Sequence, residues 1–368
     1  MRKLFLLLSV VIIITACSTE PRYTIKGDIE GADSVTFYLQ KREAGGLVTL
    51  DSALAKNGSF RIKGGAVDFP QMVMLVARET MGRISFYIEN SNITIAGKLD
   101  SIADSKITGS KTHDEYTLFM ESNKPLNDQY SGIYNEYQIA SQEKNEERMA
   151  ELQKQAENIQ EQMKALQLDF IRSNPSSYFA PSLLQGLSYE LDAQEIESYI
   201  SGMDTNVANI PIMLSLKERV EQMKSVSVGQ KAPDFTLNDV DGNPVTLYSK
   251  VGPRLLLLDF WAAWCGPCRQ ENPHVVKVYN EFNKKGFDVF GVSLDRTRED
   301  WVKAIADDKL TWTHVSDLQY WNSAAARMYA VNSIPANFLL DENGTIVARN
   351  LRGDALYNKV NEVLGEVR

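Results

Sequence analysis

The stretch LLLLDFWAAWCGPCRQENP, residues 255–273, decides the fold of the C-terminal part of this chain. Its first seven residues, 255–261, are apolar except for Asp259, and such a run is typical of a strand buried on both faces of a sheet. A polar segment that begins with Gly-Pro follows, and proline is favoured in the first turn of a helix. Cys265 and Cys268 stand where the two segments meet. The stretch therefore predicts an α/β fold with a cysteine pair at a junction of strand and helix.

The rest of the C-terminal region continues the alternation of strand and helix. Two short strands flank a turn at 241–244, ahead of the buried strand. The later elements are a buried strand, FDVFGVSL (287–294), a helix, REDWVKAIADDKL (298–310), a hairpin, ANFLLD with TIVARN (336–341 and 345–350), and a helix, DALYNKVNEVLGEV (354–367). This alternation predicts an α/β domain over residues 227–368.

Residues 23–110 have the composition of an all-β domain. Short segments rich in Val, Ile, Phe and Tyr alternate with turn residues such as Asn57-Gly58, which predicts several short strands. The segments are YTIKGDI (23–29), SVTFYLQ (34–40), GSFRIKG (58–64), QMVMLVARE (71–79), RISFYIE (83–89) and NITIAGKL (92–99). We expect them to form a small β-sandwich or barrel-like sheet.

Residues 111–226 change to a helical composition in which Pro and Gly are sparse. Two sets of apolar residues recur at steps of three and four, and each set forms a narrow stripe on a helix. The sets are Leu126, Tyr130, Ile133, Tyr137 and Ala140, and Met149, Leu152, Ala156, Ile159, Met163, Leu166 and Phe170. They fall out of register across 141–148, which indicates two packed helices or one long helix with a break. A helical domain that packs on itself and a homodimer through 126–170 are both compatible with the stripes.

Length and charge limit the classes of function. The chain of 368 residues is 43% hydrophobic and 24% charged, which is typical of a globular protein with two or three domains. Its net charge of −9 gives no indication of an extended basic surface. We therefore expect no nucleic-acid partner, since such partners require a basic surface.

The N-terminus has the pattern of an export signal. MRKLFLLLSVVIIITAC (1–17) starts with two basic residues, continues with a short apolar run and ends at Cys17. The Ile-Thr-Ala-Cys ending resembles the lipobox of bacterial lipoproteins. The resemblance implies a signal peptide over 1–16, a lipid on Cys17 and a lipidated tether over 17–22, so that acyl chains anchor the mature protein to a membrane. An ordinary signal peptide with a chance cysteine is the alternative.

The CxxC pair has several possible chemistries. A structural zinc site needs four ligands, and the three histidines of the chain do not stand at ligand spacing. Haem attachment needs a histidine after the second cysteine, where Arg269 stands. A staple across three residues closes almost no loop and stabilises little. Thiol–disulfide exchange remains, with no metal and no cofactor beyond the redox-active disulfide Cys265–Cys268.

The two cysteines differ in their expected roles. Cys265 would face the N-terminus of the helix, where amide groups carry partial positive charge and stabilise a thiolate. Gly266 and Pro267 form the tight link, and Cys268 follows one turn into the helix, more deeply buried. We therefore expect Cys265 to attack a substrate disulfide and Cys268 to resolve the mixed disulfide.

The same stretch resembles the active-site segment of the thioredoxin superfamily. The opening APDFTL (232–237), the core WCGPCR (264–269) and the acid Glu271 resemble in particular the membrane-tethered TlpA/ResA-like thiol–disulfide oxidoreductases. The resemblance spans about residue 228 to the end of the chain and implies a thioredoxin-like fold for the domain 227–368. The β region resembles, less sharply, the N-terminal domain that precedes redoxin domains in some bacterial lipoproteins.

This resemblance implies roles for individual residues. Asp259 corresponds to the buried acid that takes the proton from Cys268 as that thiol attacks, which requires a pKa raised by burial. Glu271 corresponds to the acid that tunes the cysteine pKa values. Ile334-Pro335 corresponds to a cis peptide bond beside the cysteines, whose backbone groups pair with an extended substrate chain.

The resemblance also implies an enzyme and its surroundings. It implies a lipid-anchored oxidoreductase on the periplasmic side of the cell envelope that acts on protein disulfides. Trp264, Gly266 and Pro267 are then expected substrate contacts, together with Ile334 and Pro335. CGPC is the motif of reducing thioredoxins, so we expect a reductant that a membrane electron donor recharges. The resemblance implies cytochrome c apoproteins and misoxidised exported proteins as candidate substrates.

Two other functions compete with this interpretation. A peroxiredoxin-like peroxidase shares the APDFTL opening, but its motif has Thr three residues and Pro seven residues before the cysteine, where this chain has Ala262 and Leu258. A binding or scaffold lipoprotein with an accessory redoxin domain is the second competitor, because residues 23–225 show no recognisable catalytic cluster. The intact cysteine pair, with Asp259 and Pro335, favours the oxidoreductase.

Overall fold

The computed structural model describes residues 22–43, 45–78, 80 and 82–365. The expected signal peptide over 1–16 and Cys17 lie outside the described residues, as does most of the tether over 17–22. Nothing in the structure therefore bears on export or lipidation.

Contacts group the chain into two compact units. The first unit ends at Phe170 and also takes Ser177–Ala180, whereas the second takes Ile171–Ser176 and the chain from Pro181 onward. The helical residues 111–226, which the sequence grouped into one domain, are therefore shared between the two units. Each unit has its own core, and each is described by itself.

The first unit contains two four-stranded sheets, in the orders β4-β1-β7-β8 and β3-β2-β5-β6. The strands are β1 (Thr24–Glu30), β2 (Thr36–Glu43), β3 (Gly46–Leu54), β4 (Ser59–Lys63), β5 (Gln71–Ala77), β6 (Arg83–Ile88), β7 (Asn92–Lys98) and β8 (Lys106–Thr108). Alternate residues of β1 and β4 are buried, as expected for strands with one face on a core. Phe37 of one sheet stacks on Phe60 of the other with ring centroids 4.5 Å apart. The predicted β domain is thus confirmed as two packed sheets.

Two of these strands are absent from the sequence prediction. β3 pairs only with β2, at the edge of its sheet, and most of its residues are exposed. A strand exposed on both faces has no alternation of buried and solvent-facing residues, so its sequence carries no signal of period two. β8 has three residues, which is too short to produce such a signal.

Two long helices complete the first unit. They are α1 (Lys111–Gln142) and α2 (Glu146–Ser173), and the chain reverses between them at Lys144, whose φ is +55°. Gln160 Nε2 donates to Tyr130 Oη at 3.1 Å, and Phe119 contacts Phe170 with centroids 5.3 Å apart, so the helices form an antiparallel hairpin. Ala140, Leu152 and Ile159 of the two apolar stripes are buried, whereas the other stripe residues are half-buried. A homodimer through 126–170 stays a prediction. No helix in the described ranges has both the length and the apolarity needed to cross a membrane.

The second unit begins with three shorter helices: α3 (Ala180–Leu187), α4 (Ala193–Ser201) and α5 (Pro211–Ser225). Asp192 and Glu195 form a capping box at the start of α4, where each side chain accepts the backbone N–H of the other residue. Val226, directly after α5, is fully buried in the core of the α/β region. These helices are therefore packed with the α/β region rather than separated from it by a linker.

The rest of the second unit is a seven-stranded sheet with helices, in the strand order β10-β9-β13-β12-β11-β14-β15. Its elements are β9 (Thr236–Asp239), β10 (Pro244–Thr246), β11 (Leu255–Trp261), α6 (Gly266–Phe282), β12 (Phe287–Ser293), α7 (Arg298–Asp307), β13 (Thr313–Ser316), α8 (Ala324–Met328), β14 (Ala336–Asp341), β15 (Ile346–Arg349) and α9 (Gly353–Leu364). All seven residues of β11 are buried, between the parallel strand β12 and the antiparallel strand β14. The predicted thioredoxin-like α/β fold is confirmed, with the stretch 255–261 as its central strand.

Candidate active site

The cysteine pair lies where the central strand β11 leads into α6. Cys265 and Cys268 form a disulfide with an S–S distance of 2.00 Å. Cys265 is the N-cap of α6, and its Sγ accepts the backbone N–H of Cys268 at 3.2 Å. In the reduced state this N–H and the positive end of the helix dipole would stabilise a thiolate on Cys265.

Access to the two sulfurs is unequal. Both cysteines are buried, with 4% of Cys265 and 1% of Cys268 exposed. Gly266 and Pro267 between them are exposed. The disulfide therefore has an exposed stretch of backbone, Gly266-Pro267, between its two buried cysteines.

The loop before β14 closes one side of the disulfide. The peptide bond between Ile334 and Pro335 is cis, as the sequence resemblance implied. Cys265 Sγ lies 3.6 Å from the carbonyl oxygen of Ile334. This contact places backbone groups of a chain-distant loop directly beside the sulfur, where an extended polypeptide can pair with them.

Asp259 lies in β11, between Gly291 of β12 and Asn337 of β14 in the strand register. Its side chain is buried, and burial raises the pKa of Asp259 from 3.8 to about 7. The positive charge of Arg352 lowers this pKa, and the negative charge of Glu271 raises it. A carboxyl group with a pKa near neutrality can both accept and release a proton at physiological pH.

Arg352 connects this acid to the cis-proline loop. Its Nη2 donates to the carbonyl oxygen of Pro335, and its Nη1 donates to the carbonyl oxygen of Leu351 at 2.9 Å. Burial lowers the pKa of Arg352, while the charges of Asp259 and Glu271 raise it. Sequence reasoning missed this arginine because it stands in no motif, just before the last helix of the chain.

Glu271 has a structural contact as well as an electrostatic one. Its Oε1 accepts the backbone N–H of Gly353, the first residue of α9, at 2.7 Å. The carboxylate therefore fixes the start of α9 next to α6, and with it the adjacent Arg352. The two acids predicted from the sequence, Asp259 and Glu271, thus share one cationic neighbour.

Asp295 is a second residue that sequence reasoning missed. Both of its carboxylate oxygens accept the backbone N–H of Ala263 at 3.1 Å, and Ser293 Oγ donates to it at 2.8 Å. Burial raises the pKa of Asp295, and the hydrogen bond from Ala263 opposes that rise. This acid holds the backbone just before Trp264 and Cys265, and its position directly after the buried segment GVSL was the available signal.

Trp264, which directly precedes Cys265 in the chain, forms an exposed aromatic surface. It is 45% exposed, and its Nε1 donates to the carbonyl oxygen of Leu294 at 3.2 Å. Its ring contacts Tyr320 and Trp321, at centroid distances of 5.0 and 5.8 Å. Trp261, in contrast, is buried in the core. The exposed ring, on the residue before Cys265, gives the site an apolar face.

The remaining chemistry of the site is that of the dithiol. Over the residues that the structure describes, no group of three or more His, Cys, Asp and Glu side chains is placed to hold a metal ion. The structure brings together Cys265, Cys268, Asp259, Glu271 and the Ile334-Pro335 loop. This arrangement joins two sulfurs, a proton acceptor and a backbone edge.

Comparison with known proteins gives matches to an N-terminal region and to a C-terminal region of the chain. Residues 228–349 match the AhpC/TSA family, and residues 23–116 match a domain of unknown function, DUF4369. The thiol-disulfide oxidoreductase ResA of Geobacillus thermodenitrificans is 32% identical over 122 residues, which are 33% of this chain and 68% of the relative. The thioredoxin-like protein YneN of Bacillus subtilis is 37% identical over 124 residues, which are 33% of this chain and 69% of the relative.

Solved structures are also similar to the C-terminal part. The thioredoxin domain of a thiol-disulfide oxidoreductase from Bacteroides vulgatus is 42% identical. The similarity covers 38% of this chain and 100% of that domain, with a TM-score of 0.36. A thiol-disulfide oxidoreductase from Bacteroides fragilis is 38% identical and is likewise covered over 100% of its chain, with a TM-score of 0.35.

We predict that Asp259→Asn stabilises the oxidised chain at pH 8 more than at pH 4. The folded chain keeps the Asp259 proton up to a pKa of about 7, whereas the unfolded chain loses it near the ordinary value of 3.8. The free energy of unfolding of the unsubstituted chain therefore falls as pH rises through this window, by up to about 4 kcal/mol for about three pKa units. Asparagine does not titrate, so the variant lacks this loss.

The measurement is urea unfolding at pH 4, 6 and 8, monitored by tryptophan fluorescence. All five tryptophans lie between residues 261 and 321, so the signal reports the second unit. Asp241→Asn, in the exposed turn between β9 and β10, is the matched control and should show no such trend. A stability difference that stays constant from pH 4 to pH 8 would contradict the raised pKa.

Proposed function

The chain belongs to the ResA-like thiol-disulfide oxidoreductases, and from that premise we propose that it reduces protein disulfides in the cell envelope while a lipid on Cys17 holds it at a membrane. The observation that carries the proposal is the pair Cys265–Cys268 at the N-terminus of α6, with the buried Asp259 in the strand that leads into it. Disulfide exchange follows from membership of this family. The residue roles, the reducing direction and the anchor are the proposed part.

The first step is attack by the reduced Cys265. Its thiolate forms a bond to one sulfur of the substrate disulfide, the substrate S–S bond breaks, and the second substrate sulfur leaves as a thiolate that takes a proton. The position of Cys265 supports this role, since its sulfur accepts the N–H of Cys268 at the helix N-terminus. The exposed Gly266 and Pro267 leave the approach open on this side.

The second step is attack by Cys268 on the sulfur of Cys265. This attack breaks the mixed disulfide, releases the first substrate sulfur as a second thiol and leaves the Cys265–Cys268 disulfide of the structure. Cys268 must lose its proton to attack, and Asp259, with a pKa near 7, is the group proposed to accept it. The substrate gains two electrons and two protons, and the dithiol of the enzyme is oxidised.

Substrate alignment is assigned to the groups on either side of Cys265. The backbone at Ile334-Pro335 offers an edge to which an extended substrate chain can add as a strand. The exposed ring of Trp264, on the residue before Cys265, would provide apolar contact to the same chain. Binding between the loop and the ring would direct the substrate disulfide toward Cys265 rather than Cys268.

A reductant in an oxidising compartment has to be recharged. The CGPC dithiol is oxidised once per substrate disulfide, and extracytoplasmic surroundings do not return electrons to it. We therefore include in the proposal a membrane-held dithiol donor that reduces Cys265–Cys268 by the same exchange reaction. The lipid anchor on Cys17 would keep the enzyme within reach of such a donor.

We predict that Cys268→Ser traps a substrate and that Cys265→Ser does not. Without the resolving thiol, the mixed disulfide on Cys265 persists, whereas loss of Cys265 removes the first step. With insulin as the disulfide substrate, Cys268→Ser should give a covalent adduct on a non-reducing gel, located at Cys265 by mass spectrometry. An adduct on Cys268 in the Cys265→Ser variant that forms faster than the adduct on Cys265 would reverse the two roles, and equal rates would contradict the assignment.

We predict a reduction potential for Cys265–Cys268 near that of thioredoxin, about −270 mV. The measurement equilibrates the full chain, purified in detergent, with dithiothreitol or glutathione buffers and follows the fraction reduced by alkylation. A potential near that of a strong oxidant, about −120 mV, would make the protein a source of disulfides and overturn the reducing direction.

We predict that Cys17→Ser releases the protein from the membrane fraction of a bacterial host. Removal of the acylated sulfur removes the anchor, so the variant should appear in the periplasmic extract. Cys265→Ser is the control with one cysteine replaced and should remain with the membranes. Full retention of Cys17→Ser in carbonate-washed membranes would contradict the lipid anchor.

A further inference from the structure

A pocket of about 500 Å³ lies beside the cis-proline loop, within the second unit. One wall comes from the segment between α3 and α4 and from α5. The other wall comes from the loop before β14 and from β15, and Pro335 is among its lining residues. This volume is within the range of ligand-binding pockets. The pocket therefore adjoins the place where a substrate chain would meet the disulfide.

Two arginines from opposite walls face this pocket with neutral partners. Arg219 of α5 donates through Nε and Nη2 to the carbonyl oxygen of Ser188, at 3.3 and 3.2 Å, and lies 5.2 Å from the ring centre of Tyr189. Arg349 of β15 lies 5.4 Å from the ring centre of Phe338. A carbonyl group and two aromatic rings are their described contacts, and none of these carries a negative charge.

The two guanidinium groups repel each other. Burial lowers the pKa of Arg219, and the positive charge of Arg349 lowers it further. Burial also lowers the pKa of Arg349. Partly buried charges without an opposite charge are unfavourable, so an anion between these two groups would be stabilised.

Two acidic residues, Glu190 and Asp192, also line the pocket. Neither is among the charged groups that act on the pKa of Arg219 or of Arg349, and Asp192 accepts the N–H of Glu195 at 2.8 Å as the cap of α4. A third arginine, Arg352, also lines the pocket and donates to the carbonyl oxygen of Pro335. With three arginines and two acidic residues, the lining carries a net positive charge.

We propose that this pocket binds a carboxylate side chain of the disulfide substrate, so that the enzyme prefers acidic residues next to the cysteine it attacks. The proposal rests on the proposed function. A guanidinium group presents two parallel N–H donors that match the two oxygens of a carboxylate. In an extended chain alternate side chains point to the same side, so a chain on the cis-proline loop can send one side chain into the pocket.

The test compares two fluorescence-quenched peptides, each closed by one disulfide. They are identical except that the residues flanking the first cysteine are Glu in one and Gln in the other. The full chain, purified in detergent and recycled by dithiothreitol, should reduce the Glu peptide with a kcat/KM about fivefold higher at 50 mM NaCl. The ratio should approach one at 500 mM NaCl, because salt screens the charges.

Substitution of single arginines shows whether the preference for the Glu peptide depends on this pocket. Arg219→Gln and Arg349→Gln should each bring the Glu/Gln ratio of kcat/KM close to one, whereas Arg327→Gln, on the exposed side of α8, should keep it. The ratio is taken within one preparation, so a lower fraction of folded protein does not alter it. Should an arginine variant fail to fold, the ratio and salt dependence of the unsubstituted chain still decide.

The outcomes separate the two proposals. Equal rates for both peptides, or a preference that survives both pocket substitutions, would overturn the carboxylate pocket and leave disulfide reduction standing. Failure to reduce either peptide, with the Cys265–Cys268 dithiol fully reduced beforehand, would overturn the proposed function itself.

Discussion

A buried carboxylic acid, Asp259, lies in the central strand of the second unit, and the candidate active site is organised around it. Asp259 occupies the middle of a strand whose seven residues are all buried, with a strand paired on each side. It cannot turn toward solvent, so burial raises its pKa to about 7. The cost of burying this acid gives the site a proton acceptor that works at neutral pH.

The groups that act on the pKa of Asp259, and the loop that one of them contacts, come from three distant parts of the chain. Glu271 lies on α6, Arg352 lies just before α9, and the carbonyl of Pro335 lies just before β14. Arg352 contacts the Pro335 carbonyl and carries the charge that opposes both acids. One side chain therefore acts both on the charge of the two acids and on the cis-proline loop.

The second unit, which holds the disulfide, also contains the helices α3, α4 and α5 ahead of the thioredoxin-like α/β region. α4 and α5 pack with the α/β region in one compact unit, and their residues form one wall of the arginine-lined pocket. The disulfide and Asp259, to which the proposed exchange chemistry is assigned, belong to α6 and to the sheet. The proposed preference for acidic substrates therefore depends in part on that wall, which carries Arg219.

The sequence by itself determined the elements whose signals are local. The apolar run 255–261 predicted the central strand, the CxxC pair at its end predicted a disulfide site, and Asp259 stood out as an acid within that run. Only the tertiary structure decided the edge strand β3, the division of the helical residues 111–226, and the positions of Asp295 and Arg352. The physical reason is that periodicity and capping act between neighbours along the chain, whereas burial, charge compensation and pairing at a sheet edge depend on segments that meet only when folded.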